Sequence, residues 1–183
     1  EAANGPVLWR TDSTAVWRPA AAGLRLGAGA AIRTGSDASA LLRLADDSRI
    51  LMSPDSVITF DSLRLYGQNM MVDHRLRLEE GAAEVTANPG KLPNRNLRID
   101  TPGAQTVVRG TRFRIVADQS VTREETLHGA VSVSAAGREV FVARGTGTVA
   151  SAGAAPMAPV ALLPAIDVKG LPTRFEQLPM RFP

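Results

Sequence analysis

Adjacent acidic residues are the first side chains of this sequence whose type and spacing suit a chemical reaction. Two neighbouring carboxyl groups can serve as the general acid and general base of a hydrolytic enzyme. Three such pairs occur, namely Asp46-Asp47, Glu79-Glu80 and Glu124-Glu125. Because neighbouring side chains of an extended segment point to opposite faces, neither glutamate pair should converge on one bond. We expect the glutamate pairs on solvated surface and the aspartate pair in a turn.

Other signatures of catalysis or cofactor binding are weak. His74 and His128 are the only histidines, and neither stands at a metal-ligand spacing or beside a G-x-S-x-G nucleophile motif. The chain has no cysteine, and its glycine-rich segments at Gly27 and Gly145 lack the spacing of a phosphate-binding loop. The sequence therefore predicts no catalytic residue, no metal site and no cofactor, and so a protein that is not an enzyme.

Five arginines that alternate with apolar residues are candidates for binding a partner. They are Arg75, Arg77, Arg98, Arg112 and Arg114. Their alternation predicts that they point outward from neighbouring strands, where a basic stripe would attract an acidic protein or an anionic glycan. The alternative is a solvated face on which Glu79, Glu84 or Glu124 pairs with them, each exposed pair contributing about 0 to 1 kcal/mol.

Two tryptophans near the start of the chain are the other binding candidates. Trp9 and Trp17 stand eight residues apart. If exposed, their rings could stack on a sugar or anchor a partner protein. The alternative is a structural role, in which both rings cover the open end of a β-sandwich.

Composition narrows the class of protein. The 183 residues suit one domain with its own core. The net charge is only +3, the 19 arginines form no basic run, and eight aromatic residues are few for stacking bases, so we expect no nucleic-acid partner. No segment has the roughly 20 apolar residues that a transmembrane helix needs. The first residue is Glu1, with no signal peptide after it, so we expect a mature or trimmed piece.

A short unit containing glycine and alanine recurs three times. Its copies are LGAGAAI from Leu26, LEEGAAEV from Leu78 and LHGAVSV from Leu127, with starts 52 and 49 residues apart. The spacing indicates a repeated β-unit in which the glycine sets a tight turn or bulge. Turn-forming residues recur about every 8 to 12 positions, a rhythm typical of many short strands.

These patterns predict an all-β fold. We expect a two-layer β-sandwich or β-roll of roughly twelve to fifteen short strands, with a short β-solenoid as the alternative. Residues 1–153 should form this domain. Residues 154–183 are rich in proline and predict an extended linker or strap, which either lies on the sandwich or leads to a neighbouring domain.

Five segments, in order, carry a family resemblance. They are IRTGSDASALLRLADDSRILMSPDSVITF, RLRLEEGAAEV, LRIDTPGAQTVVRGTRFRIVAD, ETLHGAVSV and VARGTGTVAS. This series resembles the FecR-domain family of bacterial envelope proteins. The resemblance assigns a mainly structural role to the motif residues Gly81, Thr101, Pro102, Gly110, Thr111, Phe113, Gly129 and Gly145.

The resemblance implies a function as well as a fold. It implies a periplasmic or cell-surface interaction and signalling module that binds another envelope protein. One alternative is a peptidoglycan- or glycan-associated accessory, because the proline-rich tail resembles the connector to a LysM domain in some family members. A further alternative is the periplasmic half of a sigma-factor regulator that responds to iron-uptake receptors.

Overall fold

The chain folds into β-strands connected by turns. A computed structural model describes residues 2–66, 71–88, 95–108 and 110–162, and this part of the chain contains no helix. Its strands are β1 Ala2–Asn4, β2 Val7–Arg10, β3 Arg18–Pro19, β4 Ala31–Thr34, β5 Ser39–Arg43, β6 Arg49–Met52, β7 Val57–Tyr66, β8 Met71–Thr86, β9 Arg95–Asp100, β10 Gln105–Val108, β11 Arg112–Asp118, β12 Val121–His128, β13 Ala130–Ala135, β14 Arg138–Ala143, β15 Thr146–Ser151 and β16 Val160–Ala161.

The strands pair into two sheets that share one strand. Sheet A has the order β1-β5-β6-β8-β11-β12-β15-β16, and sheet B has the order β3-β2-β4-β7-β8-β9-β10-β13-β14. Every described ladder is antiparallel except the one between β8 and β9. The predicted two-layer all-β fold is confirmed, with slightly more strands than expected. Antiparallel pairing distinguishes it from the parallel coils of a solenoid.

Gly81 is the point at which β8 passes from sheet B to sheet A. Before it, β8 pairs with β7 and β9, and from it onward β8 pairs with β11. Its φ is +89°, and a Cβ at this position would lie 2.5 Å from the carbonyl oxygen of Asp55. Glycine is therefore required here for both its backbone conformation and its lack of a side chain.

Two of the three glycine-alanine units pack in the same way against a buried hydroxyl group. The Ser56 hydroxyl donates to the carbonyl oxygen of Ala82 at 3.0 Å, and the Thr111 hydroxyl donates to that of Ala130 at 2.8 Å. In each unit the glycine before the alanine has a positive φ and marks a passage between the sheets. The predicted glycine turns are thus confirmed, and they are where the chain changes layer.

The core lies between the two sheets. Its largest fully buried apolar side chains are Ile50, Met52, Leu76, Leu78, Phe113 and Ile115. These residues alternate with exposed or half-buried neighbours along β6, β8 and β11, as the period-2 pattern predicts. Phe113 of the GTRF segment is completely buried, so its ring is part of this core.

The described part of the tail lies along the edge of sheet A. The Met157 N–H donates to the carbonyl of Val149 at 2.9 Å, and β16 pairs with residues 146–147 of β15. Sheet A therefore continues for two residues of β16 beyond Gly153. Residues 163–183, the rest of the predicted linker or strap, lie outside the described residues.

Candidate interaction surfaces

The five candidate arginines do not form one stripe. Arg75, Arg77 and Arg98 belong to β8 and β9 of sheet B, whereas Arg112 and Arg114 belong to β11 of sheet A. The outer faces of the two layers point away from each other. The sequence pattern correctly indicated that these side chains point outward. It could not indicate that they lie on two different sheets, because that follows from the passage of β8 from sheet B to sheet A.

Carboxylates neutralise most of these arginines. Arg75 pairs with Asp100 at 2.6 Å and Arg77 with Asp61 at 2.9 Å. Glu84 receives both Arg112, at 2.6 Å, and Arg114, at 3.2 Å. The alternative of a solvated face with paired charges is therefore the arrangement observed, and on sheet A Glu84 is the carboxylate that pairs with both arginines. Arg98, half-buried beside Arg75, has no ion pair within the described residues.

A different pair of arginines surrounds Trp17. The guanidinium carbons of Arg10 and Arg33 lie 4.6 and 4.9 Å from the centroid of the Trp17 ring. Arg10 is in β2 and Arg33 in β4, which pair with each other, and Trp17 immediately precedes β3, the edge strand of this sheet. Trp9 and Trp17 are both half-buried. We call this group the Arg-Trp cluster.

A hydrogen-bonded turn holds the loop that carries Trp17. Asp12 accepts hydrogen bonds from the N–H groups of Thr14 and Ala15 at 2.9 and 3.0 Å and from the Thr14 hydroxyl at 2.6 Å. These bonds, led by the Thr14 hydroxyl, lower the pKa of Asp12 to about 2. The carboxylate is therefore ionised at neutral pH and bonded within its own turn.

The edge strand of sheet B presents an exposed aromatic ring. Among the described strands β14 pairs only with β13, across a tight turn at Ala136 and Gly137, both with positive φ. Phe141 on this strand is 66% exposed, whereas Val142 is fully buried. Phe141 is therefore an outward residue of the β13–β14 hairpin.

The family-motif residues occupy structural positions. The Thr101 hydroxyl, in the turn between β9 and β10, lies 2.6 Å from the Thr122 hydroxyl of β12 and so connects the two sheets. Pro102 is exposed in the same turn. Gly110, between β10 and β11, and Gly145, in the turn between β14 and β15, both have a positive φ.

Glu124 is buried on the inner face of β12, although the sequence predicted a solvated side chain. Glu124 is 1% exposed, and Thr122 and Thr126 share its face of β12. Its Oε2 atom has no hydrogen-bond partner in the described residues. Burial raises the pKa of Glu124 to about 8, opposed by the Thr126 hydroxyl and reinforced by the charge of Glu125. The expectation of surface exposure was wrong because inward polar residues give β12 no apolar alternation.

Thr126 is the hydrogen-bond partner of Glu124 and also contacts the edge strand. The Thr126 hydroxyl donates to Glu124 Oε1 at 3.0 Å, and its oxygen lies 3.1 Å from the carbonyl oxygen of Val142 in β14. One hydroxyl has one hydrogen to donate, so these two acceptors share it. Thr126 thereby connects β12 to the edge strand.

The first acidic pair also includes a buried member. Asp46 is buried in the turn between β5 and β6, where it accepts the Ser48 N–H and hydroxyl, while Asp47 is exposed. His74 of β8 is buried 3.8 Å from Asp46, and neither ring nitrogen has a hydrogen-bond partner in the described residues. Burial lowers the pKa of His74, and Asp46 partly opposes this effect.

The described residues contain no metal-binding group of three or more histidine, cysteine or acidic side chains. The two carboxyl groups of each adjacent pair lie in different environments. In the 46–47 and 124–125 pairs one member is buried and the other is not. In the third pair Glu79 accepts a hydrogen bond from the Thr59 hydroxyl at 2.6 Å, whereas Glu80 is exposed. Within the same residues no helix has the length and apolar character needed to cross a bilayer.

The architecture defines an all-β sandwich whose two sheets share a long central strand. The chain belongs to the FecR family, whose model matches residues 30–132, more than half of its length. This family comprises regulators of the bacterial envelope. The match contains the whole second glycine-alanine unit, residues 30–32 of the first and residues 127–132 of the third.

Solved structures show the same fold. Two crystal structures of a protein assigned as an anti-sigma factor from Parabacteroides distasonis superpose with TM-scores of 0.59 and 0.57, at 13% and 14% sequence identity. The superposition covers 72% of this chain and 59% of theirs. At this identity the likeness concerns the fold alone. No curated protein matches the chain.

Proposed function

We propose that this protein is a non-catalytic interaction module of the bacterial envelope that binds another envelope protein during signalling. Membership of the FecR family supports the regulatory role and the envelope location. The divergence of the adjacent carboxyl pairs supports the absence of acid-base chemistry. The observation that carries the proposal is the open edge strand β14 with its exposed Phe141.

An open edge strand can bind a partner by adding a strand to the sheet. Alternate residues of β14 direct their N–H and C=O groups away from β13. The tight turn at 136–137 sets the register, which places the outward groups at Glu139 and Phe141. A partner strand would hydrogen-bond to these groups, and the Phe141 ring would anchor it.

Site-specific photo-crosslinking in living cells tests this mode of binding. A photoreactive phenylalanine analogue replaces Phe141 in one strain and Arg123, exposed on the outer face of sheet A, in another. We expect a discrete crosslinked envelope protein at position 141 and none at 123. Equal crosslinking at both positions would contradict the proposal.

A proline substitution then separates backbone pairing from side-chain contact. Phe141→Pro removes an outward N–H without disturbing the ladder to β13, because Phe141 does not donate to β13 in this register. Phe141→Ser keeps the N–H and removes the ring. With the captured protein in purified form, strand addition requires that Phe141→Pro abolish binding and Phe141→Ser weaken it. Binding unaffected by proline would exclude this mode.

A second candidate function is the periplasmic half of a sigma-factor regulator. The solved structures assigned as anti-sigma factors favour it, because they share the sandwich. Identification of the protein crosslinked at Phe141 distinguishes the two functions. An outer-membrane transporter would support the sigma-regulator role, and a cell-wall protein would support an interaction module outside that pathway.

A further inference from the structure

The Arg-Trp cluster contains two cations without anions. Neither Arg10 nor Arg33 has an ion pair with any described residue, and the carboxylate nearest to Arg10 in the chain, Asp12, is bonded within its own turn. This contrasts with Arg75 and Arg77 on the same sheet, each of which has an aspartate within 3 Å. The two guanidinium groups are held within roughly 10 Å of each other by a shared ring, so they repel one another and attract an anion.

The stacking geometry favours a carboxylate over a sugar. A guanidinium that lies over an indole ring keeps its N–H donors at its edge, in the plane where a carboxylate accepts hydrogen bonds. Arg33 is exposed, whereas Arg10 already donates from Nη1 to the carbonyl oxygen of Ser13 at 3.2 Å and keeps its Nε buried. The stacked arginines also occupy ring surface that a sugar would need. Val16, which precedes Trp17 in the chain, is 77% exposed and offers an apolar side chain to a partner.

We propose that the Arg-Trp cluster binds an acidic peptide segment of a partner protein, with carboxylates on Arg10 and Arg33 and an apolar side chain against Val16. The inference rests on the proposed function to the extent that the partner is a protein. It concerns a different surface from β14, so the two can fail separately. The charge pattern favours an acidic segment because neither arginine of the cluster has an ion pair within the part of the chain that the structure describes.

Fluorescence titration with an acidic peptide tests the site directly. Trp9→Phe leaves Trp17 as the only tryptophan, so its emission reports on the cluster. The probe is acetylated, amidated hexaglutamate at low ionic strength, and hexaglutamine is the uncharged control. We expect saturable binding of hexaglutamate alone, which weakens in about 0.5 M salt because screening reduces charge attraction.

Arginine variants in the same background assign the binding to the cluster. Arg33→Gln, at an exposed position, should weaken hexaglutamate binding about tenfold, the effect of losing one charge-assisted contact. Arg77→Gln is the matched control, because its guanidinium is already paired with Asp61, and it should change the affinity less than twofold. Thermal unfolding by circular dichroism verifies that both variants are folded.

Three outcomes would overturn the inference. They are no saturable change with hexaglutamate, equal losses in Arg33→Gln and Arg77→Gln, and binding of anionic phospholipid vesicles without binding of the peptide. Phe141→Pro should leave hexaglutamate binding intact. If it does while the crosslinking at position 141 fails, the proposed β14 interaction fails and the acidic-peptide site stands.

Discussion

Glu124→Gln should remove a pH dependence of stability that the buried carboxyl group imposes. Glutamine has nearly the same shape and never ionises, and its amide oxygen can accept the hydrogen bond that the Thr126 hydroxyl donates to Glu124 Oε1. The variant therefore keeps the packing and the hydrogen bond to Thr126 while it eliminates titration. Glu125→Gln is the matched control, because Glu125 is the outward neighbour, half-exposed and 3.9 Å from Arg114.

The magnitude follows from the raised pKa. The folded protein holds the Glu124 proton up to a pKa of about 8, whereas the unfolded chain releases it near the ordinary value of 4.5. Stability is therefore fully present below pH 4.5 and falls as the pH rises towards 8, because the unfolded state alone gains the ionised form. At about 1.4 kcal/mol per pH unit, the loss is on the order of 4 to 5 kcal/mol.

Urea unfolding of the purified protein at a series of pH values measures this effect. The free energy of unfolding of Glu124→Gln should match that of the wild type within about 1 kcal/mol at pH 4.5 and exceed it by about 4 kcal/mol at pH 8. Other titrating groups cancel in this difference. For Glu125→Gln we expect a difference of about 0 to 1 kcal/mol at every pH.

A difference between Glu124→Gln and wild type that does not change with pH would refute the reasoning. That result would mean that Glu124 has the same pKa in the folded protein as in the unfolded chain, so that its burial does not raise the pKa. A large pH-dependent effect in Glu125→Gln would show that the titrating carboxyl group is Glu125 and not Glu124.

Three further predictions test the core, the sheet crossing and the buried histidine. Phe113→Ala should lower the free energy of unfolding by about 3 to 5 kcal/mol, whereas the same change at the exposed Phe141 should cost less than about 1 kcal/mol, and comparable losses would contradict the assigned burial. Gly81→Ala should destabilise the folded protein far more than Gly145→Ala does. Both glycines have a positive φ, but only Gly81 has backbone atoms within 2.5 Å of the added methyl group. Equal melting temperatures of the two variants would disprove the close contact. Because burial lowers the pKa of His74, stability should fall as the pH drops below about 6.5, and His74→Leu should abolish that acid-side loss in urea titrations.

The local pattern of this sequence was sufficient to predict the strands and their inward faces. Leu76, Leu78, Phe113 and Ile115 alternate with polar residues, and each is buried as the alternation requires. The recurring glycine-alanine unit also identified positions of positive φ, since only a residue without a side chain adopts that conformation freely beside packed backbone.

The polar interior was not predictable from the same pattern. Thr122, Glu124 and Thr126 share the inner face of β12, yet their side chains are typical of a solvated face. Burial of a carboxyl group depends on whether the opposite sheet covers it and whether it can keep its proton. Neither condition can be predicted from the residues next to Glu124 in the chain.

What the sequence by itself determined is the extended character of the chain, the turns and the apolar side of most strands, because these depend on residues close together in the chain. The tertiary structure alone decided which charges meet. Passage of β8 through both layers separated the arginines of β8 and β9 from those of β11, and pairing of β2 with β4 brought Arg10 and Arg33 to Trp17 from 23 residues apart. Electrostatic contacts act through space, and the order of strands in the sheets sets those distances.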